Sequence, residues 1–402
     1  MIKSQQPKKI LSDLFCSALD AVNGCVVVEQ QLQRKSIQGK VAVVAVGKAA
    51  AAMMLGAQNQ LNKQIQSALI ITKKGHSDKT LAWPCIESGH PIPNEKSLEA
   101  GAKLLEFIDN IPKGTTFLAL ISGGASALVE VLPQNIDLNS LQKINKWLLG
   151  SGLEIAEMNR VRQSVSLIKA GKALNYVPTN KMIQFLISDV KMDEKAIIGS
   201  GLFVINEQNT FKSELPDWIK EYIQIPQPIA NISVDSHIVA SNEMACQAVI
   251  KHAKKENFTV NYHGQSLYGD VFELAESLVK ELLNAKPGIH IWGGEPTLNL
   301  PEKTGRGGRN QSLALALACI LENEKGITIL VGATDGNDGS TEDAGAIIDG
   351  LTLQRGQNVG LAQDYLTAAD AGTFLEEAGD LLSTGPTATN VMDIVIALKE
   401  PI

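Results

Sequence analysis

The sequence predicts an α/β protein of two domains, and three observations carry that expectation. Short β-branched apolar runs alternate with amphipathic helical ones, several of the runs end in glycine, serine or aspartate, and 402 residues exceed one ordinary core. Ser12 to Val22 reads as a helix, Val41 to Val46 as a buried strand, Ala49 to Gln60 as a helix and Ser67 to Thr72 as a strand. Asn94 is a good N-cap for a helix to Ile108, with Glu95 and Glu99 near its start, and Phe117 to Ile121 is the next strand. Met182 to Ile187 continues the series. Residues Asn206 to Asn231, rich in Pro, Gln, Asn and aromatic side chains, read as a linker or inter-domain excursion. Helices near Asn242 to Lys255 and Gly269 to Leu283 and strands at His290 to Trp292 and Ile327 to Val331 resume the pattern. The expected domains are 1–232 and 233–402.

Composition excludes several classes. A net charge of -7, with 44% hydrophobic and 20% charged residues, describes a globular chain and gives no support for nucleic-acid binding, the basic residues being dispersed apart from the Arg160 to Lys172 region. The most apolar stretch, Val41 to Leu55, is interrupted by Lys48, so no membrane span is expected. Met1 to Lys9 is polar and no apolar run follows before Asp13, which argues against a signal peptide. Cys16, Cys25, Cys85, Cys246 and Cys319 are odd in number with no C-x-x-C pair, as in reduced thiols of a cytoplasmic protein.

The candidate chemistry lies where the strands end. Val41 to Val46 leads into Gly47-Lys48-Ala49, Phe117 to Ile121 into Ser122-Gly123-Gly124-Ala125-Ser126, and Met182 to Ile187 into Ser188-Asp189-Val190. His290 to Trp292 leads into Gly293-Gly294-Glu295, and Ile327 to Val331 into the loop holding Asp335, Asp338 and Asp343. Ligands of open α/β sheets bind outside the carboxyl ends of the strands, so parallel strands would bring these loops to one crevice. Gly305-Arg306-Gly307-Gly308-Arg309-Asn310-Gln311 precedes the apolar run Leu313 to Leu321. That order reads either as a solvated basic loop or as a helix N-terminus whose amides and guanidinium forks receive phosphate or carboxylate. Within Glu154 to Leu174, helical spacing puts Asn159, Arg162, Ser166 and Lys169 on one face, either solvated or a row of anion donors, and Gly171-Lys172 adds a flexible basic site. Asp189, near Asp193 and Glu194, and Asp335 are candidates for holding Mg²⁺, which takes few protein carboxylates and fills its shell with substrate phosphates.

Absences narrow the chemistry. G-x-x-x-x-G-K-[ST] fails because Ala42 stands where its first glycine belongs and Ala49 follows Gly47-Lys48; G-x-G-x-x-G does not occur. The histidines form no metal-binding pattern, and His90, in Glu87-Ser88-Gly89-His90-Pro91, suits a structural hydrogen bond.

Together, Val46 to Ala50, Glu87 to Pro91, Ile121 to Leu128, Asn159 to Lys172, Ile187 to Val190, Gly293 to Glu295, Gly305 to Gln311, Ala333 to Gly339 and Thr384 to Asn390 resemble the glycerate 2-kinases with a C-terminal MOFRL domain, also labelled hydroxypyruvate reductases. The resemblance spans nearly the whole chain. It implies a first domain that is a Rossmann-like three-layer sandwich with a mostly parallel sheet, a smaller mixed α/β MOFRL-type domain, and an active site in the cleft between them. It also implies ATP-dependent phosphorylation of the 2-hydroxyl of D-glycerate with Mg²⁺, and active-site roles for Lys48, Asp189, Arg309 and Asp335. Gly47, Ser122, Gly123, Gly124, Ser126, Asn159, Arg162, Lys169, Gly293, Gly294, Glu295, Arg306 and Asn310 are the expected substrate or nucleotide contacts. A homodimer is a further expectation. An NAD(P)H-dependent reductase of hydroxypyruvate or tartronate semialdehyde, and a non-catalytic nucleotide- or sugar-acid-binding protein, are the alternatives. Lys191-Met192, Leu202 and Trp292 depart from the family pattern and are expected to border the crevice. Loss of Arg309 is expected to lower turnover with little effect on stability.

Overall fold

The computed structural model describes residues 7–153, 155–179, 181–206, 211, 213–224, 228–230 and 232–401. Two compact units emerge: residues 24–240, and residues 1–23 together with 241–402.

The unit 24–240 is built on strands β1 (Val41–Val46), β2 (Ile65–Lys73), β3 (Cys85–Ser88), β4 (Thr116–Ile121), β5 (Met182–Ile187) and β6 (Val234–Ala240). They form one sheet in the order β3-β2-β1-β4-β5-β6, every pairing parallel. Every residue of β1 and β4 is buried, as continuous β-branched and apolar runs require when both faces of a sheet are covered. The chain winds outward from β1 to β3 and then returns to β4 on the other side of β1, so β1 and β4 flank the topological switch point. Helix Glu95–Asp109 buries Ala100, Leu104 and Ile108 at four-residue spacing, and the Asn94 side chain caps it by accepting from Ser97 N. The cap is reciprocated by Ser97 Oγ rather than by an acidic side chain.

The other unit carries β7 (Val260–Leu267), β8 (Gly288–Gly294), β9 (Ile327–Ala333), β10 (Gly345–Asp349), β11 (Leu381–Leu382) and β12 (Asp393–Lys399). Its sheet runs β11-β10-β9-β12-β8-β7; only the β7–β8 pairing is parallel. Both β8 and β9 run antiparallel to β12, so their ends fall on the same edge, and Asp393 at the start of β12 is in register with Gly294 on one side and Ala333 on the other. Helix Arg309–Ile320 is apolar almost all round and buried over residues 310–318. The α/β class and the parallel and mixed sheets agree with the sequence expectation.

The domain limits do not. The expected break at 232/233 falls just before β6, which completes the parallel sheet, and the N-terminal helix Pro7–Ala21 belongs with residues 241–402. Its stripe of Leu11, Leu14, Phe15 and Ala18 is buried, and the Phe15 ring lies so close to Gly332 of β9 that a Cβ there would sit 2.8 Å from it. Lys8 adds ion pairs to Asp349 and Asp380. An apolar stripe declares that a helix is buried without declaring against which sheet. The segment 206–231 is not an inter-domain linker either. Leu215 and Ile219, on either side of the start of helix Asp217–Lys220, join Leu141, Ile144, Val161 and Val165 in a second core of the parallel-sheet unit. Residues 207–210, 212, 225–227 and 231 of that stretch lie outside the described residues, as do residues 1–6 of the polar N-terminus and Glu154.

Candidate active site

The loops after β1 and β4 are tied together at the switch point. Gly47, at φ 134°, leaves room for Ser122: a Cβ in its place would lie 2.1 Å from Ser122 Oγ. Lys48 N donates to Gly123 O at 2.9 Å, and Ala49 N to Ser122 Oγ at 3.1 Å. Thr72 Oγ1, one strand over, donates to Gly47 O at 2.9 Å. The half-buried Lys48 and the His90 ring flank Gly124, with Lys48 Cγ and His90 Nε2 3.3 and 3.1 Å from the position of a Cβ there. Asp189 follows β5, the neighbour of β4, and is half-buried. Gly47, Lys48, Ser122, Gly123 and Gly124 are thus assembled as expected, on the strand ends where open parallel sheets bind ligands.

Beside Gly124 lies a cavity of about 220 Å³ whose lining includes His90, Ser126, Asn145, Arg162 and Lys169. The expected helical face is not what joins these groups. Helix Ile155–Ser164 ends before Ser166 and Lys169, and the chain beyond it is held by tertiary bonds from Leu167 N to Val131 O and Ala170 N to Ser200 O. Lys169 is 2% exposed and its Nζ lies 2.5 Å from Glu130 Oε2; Glu130 is fully buried and also accepts from Ser166 Oγ at 2.5 Å. Arg162 is held differently, by two neutral amides: Nε donates to Asn145 Oδ1 at 3.0 Å and Nη1 to Asn159 Oδ1 at 3.2 Å. Burial pulls its pKa down from the ordinary arginine value. Lys172 is not a flexible basic site: its Nζ donates to Gln163 O at 2.7 Å and to Ser166 O, and burial pushes its pKa down to about 8.

In the mixed-sheet unit the glycine-arginine loop is answered by internal carboxylates. Asp338 occupies the N-terminus of helix Arg309–Ile320, accepting from Asn310 N at 3.0 Å and Gln311 N at 2.7 Å. Gly308 permits the approach, since a Cβ there would lie 2.4 Å from Asp338 Oδ1. Burial raises the Asp338 pKa, and the two amides oppose it. The expected seat for a ligand anion at this helix end is therefore filled by the protein, and Asn310 serves that cap with its Nδ2 as well, at 3.3 Å. Arg306 is diverted too, to Glu376 and, at 3.2 Å, to Asp343. Arg309 makes a two-pronged contact with Asp393, Nε to Oδ2 at 2.6 Å and Nη2 to Oδ1 at 3.3 Å, while Nη1 lies 2.7 Å from Glu295. Burial works against the Arg309 charge, but Asp393 and Glu295 outweigh it and the net shift is upward. Complete burial pushes Asp393 up to about 7 against the pull of Arg309. The end of β8, Gly293-Gly294-Glu295, and the end of β9, which leads to half-buried Asp335, flank this pair through the β12 register.

Of the three aspartates after β9, Asp338 caps a helix, Asp343 joins Arg306 and Ser383, and half-buried Asp335 accepts from Asn337 N at 3.2 Å. Among the described residues no three His, Cys, Asp or Glu side chains converge as a metal cluster. Asp189 in the parallel-sheet unit and Asp335 in the mixed-sheet unit are each a single half-buried carboxylate at a strand end, the kind of ligand of which Mg²⁺ needs only one or two when phosphate and water complete its shell. Two departures expected near the crevice sit in the core instead. Leu202 is 1% exposed, and Trp292, also 1% exposed, stacks on His263 at 4.3 Å and donates to Glu281. Met192, by contrast, is 74% exposed at positive φ. Sequence reasoning missed Glu130, Asn145 and Asp393. Glu130 had a signal, a lone acid among Leu128, Val129, Val131 and Leu132, which demands a buried cation.

Residues 10–231 match the family described as "Domain of unknown function (DUF4147)", and residues 288–393 match the MOFRL family. The D-glycerate 2-kinase of Thermotoga maritima is 32% identical, aligned over 99% of this chain and 100% of that protein. The glycerate 2-kinase of Pyrococcus horikoshii is 30% identical over 90% of this chain and 88% of its own length. The crystal structure of glycerate kinase from Thermotoga maritima superposes with a TM-score of 0.85 at 31% identity, covering 98% of this chain and 99% of that one.

Proposed function

Because the chain belongs to the glycerate kinase family built from a DUF4147 region and a MOFRL region, we propose that it transfers the γ-phosphoryl group of ATP to the 2-hydroxyl of D-glycerate. The observation that carries the reading is the full-length likeness to the D-glycerate 2-kinase, and the switch-point loop supports it by holding Lys48 against Ser122-Gly123-Gly124. In the reaction the acceptor hydroxyl oxygen bonds to phosphorus, the bond to the β-phosphate oxygen breaks, and ADP leaves. Such a transfer depends on position and on charge at the moving phosphoryl group. Lys48 is assigned to the phosphoryl oxygens and Asp189 to the hydroxyl proton. Asp335 or, in place of that proton role, Asp189 would hold Mg²⁺, which would supply further charge neutralisation. Arg309, fixed by Asp393 and Glu295, is assigned as an oriented donor rather than as a source of net positive charge.

ADP release in a coupled assay with Mg-ATP and D-glycerate tests it. Turnover is expected, with Lys48→Ala lower by roughly 10² or more in kcat. Oxidation of NADH or NADPH by hydroxypyruvate, without ADP formation from glycerate, would replace the kinase with a reductase. Thermal stabilisation by either ligand with no turnover would leave a binding protein.

A further inference from the structure

We propose that the cavity beside Gly124 seats the carboxylate of the acceptor, with Arg162 as its anion partner. The identity of the acid rests on the kinase reading; the existence of a small-carboxylate site does not.

The argument is one of charge. Buried cations are neutralised or they are costly. Lys169 in the wall of the cavity is neutralised by Glu130 at 2.5 Å, and Arg309 and Arg306 elsewhere in the chain meet carboxylates as well. Arg162 has the amide oxygens of Asn145 and Asn159 instead, at 3.0 and 3.2 Å. Burial is what shifts its pKa; no carboxylate among the described residues pairs with it. The guanidinium stays protonated nonetheless. Two amides anchored on Nε and Nη1 fix the plane of the guanidinium without cancelling its charge, which leaves Nη2 for a ligand oxygen and the full positive charge for an anion.

Size then selects the anion. The cavity is about 220 Å³, below the roughly 300–1,000 Å³ of pockets that enclose drug-sized ligands. That volume suits a three-carbon hydroxy acid better than a whole nucleoside triphosphate. Ser126, whose Oγ accepts from Ser200 Oγ at 2.7 Å, and His90 line the same wall and make it polar. Glu130 acts here as a positioning residue: by holding Lys169 Nζ and Ser166 Oγ it removes the second cation from competition and fixes the wall in which Arg162 works.

The experiment compares wild type, Arg162→Gln and Arg162→Lys as full chains, with unfolding midpoints recorded for each. Arg162→Gln is expected to raise KM for D-glycerate at least tenfold while KM for ATP moves less than twofold, and Arg162→Lys is expected to fall between. Calorimetric titration without nucleotide, using D-glycerate, L-lactate and inorganic phosphate as separate probes, should show both acids bound by wild type and lost in Arg162→Gln. Wild-type turnover with an unchanged glycerate KM in a folded Arg162→Gln variant overturns the assignment and leaves the kinase reading standing. Absence of turnover in wild type overturns the kinase reading, and the titration then decides the cavity by itself. Binding of phosphate alone at Arg162, with neither acid bound, also overturns the proposal.

Discussion

Arg309 and Arg162 stand in different units and teach opposite lessons about a basic residue in a promising loop. Arg309 sits in the most conspicuous motif of the sequence, yet its guanidinium is bound by Asp393 and Glu295, and the helix end beside it is capped by Asp338. Arg162 sits on a short helix with an ordinary polar face, yet its partners are neutral amides and it borders a cavity. Motifs show where cations are; only the pairing of charges shows which of them still calls for an anion.

The contrast breaks most directly at Asp393. Arg309→Ala should destabilise the protein by about 3–5 kcal/mol, because a completely buried carboxylate loses its partner, contrary to the small loss expected from the motif. Urea unfolding checks this. The deficit should narrow at acid pH, since Asp393 is already pushed up to about 7 and protonation relieves the unpaired charge, and Asp393→Asn in the same chain should restore part of the loss. A stability loss within about 0.5 kcal/mol would make the ion pair incidental.

Within the parallel-sheet unit, Lys169→Met should likewise cost about 3–5 kcal/mol by stranding Glu130, whereas Arg162→Gln should stay within about 1 kcal/mol of wild type because it strands no carboxylate. Equal losses at the two positions would erase the distinction on which the carboxylate site depends.

Smaller effects sharpen the comparison. Asp338→Ala should cost about 0.5–2 kcal/mol as the loss of a helix cap, visible as a lower Tm, while the glycerate KM stays unchanged. Lys172 gives a pH signature of opposite sign to a stabilising ion pair. Its pKa falls from the ordinary 10.5 to about 8 on burial, so the unfolded chain holds the proton more tightly and this group adds stability as pH rises from about 8 toward 10.5. Unfolding curves at pH 7.5 and pH 9.5 for wild type and Lys172→Met should show that increment in wild type only.

What the sequence made legible was local. Strands β1, β4, β5 and β9 and their Gly/Ser/Asp ends could be read because apolar runs and their punctuation are properties of neighbouring residues. The partners of the cations could not. Asp393 reaches Arg309 from 84 positions away, through a sheet register that puts it between Gly294 and Ala333, and no spacing in the chain encodes that. The helix face drawn through Asn159, Arg162, Ser166 and Lys169 failed for a related reason: bonds to Val131 and Ser200 end the helix early, yet tertiary contacts bring Arg162 and Lys169 to one cavity all the same.

The central claim is the transfer of phosphate to the 2-hydroxyl of glycerate, and proton-coupled ³¹P NMR of the reaction mixture tests it most directly. The account predicts a new phosphomonoester signal split into a doublet by the single proton on C2, growing as ATP is consumed and ADP appears. A triplet from the two protons on C3 would move the phosphoryl group to the other hydroxyl. No phosphomonoester signal, with ATP intact, would contradict the kinase assignment.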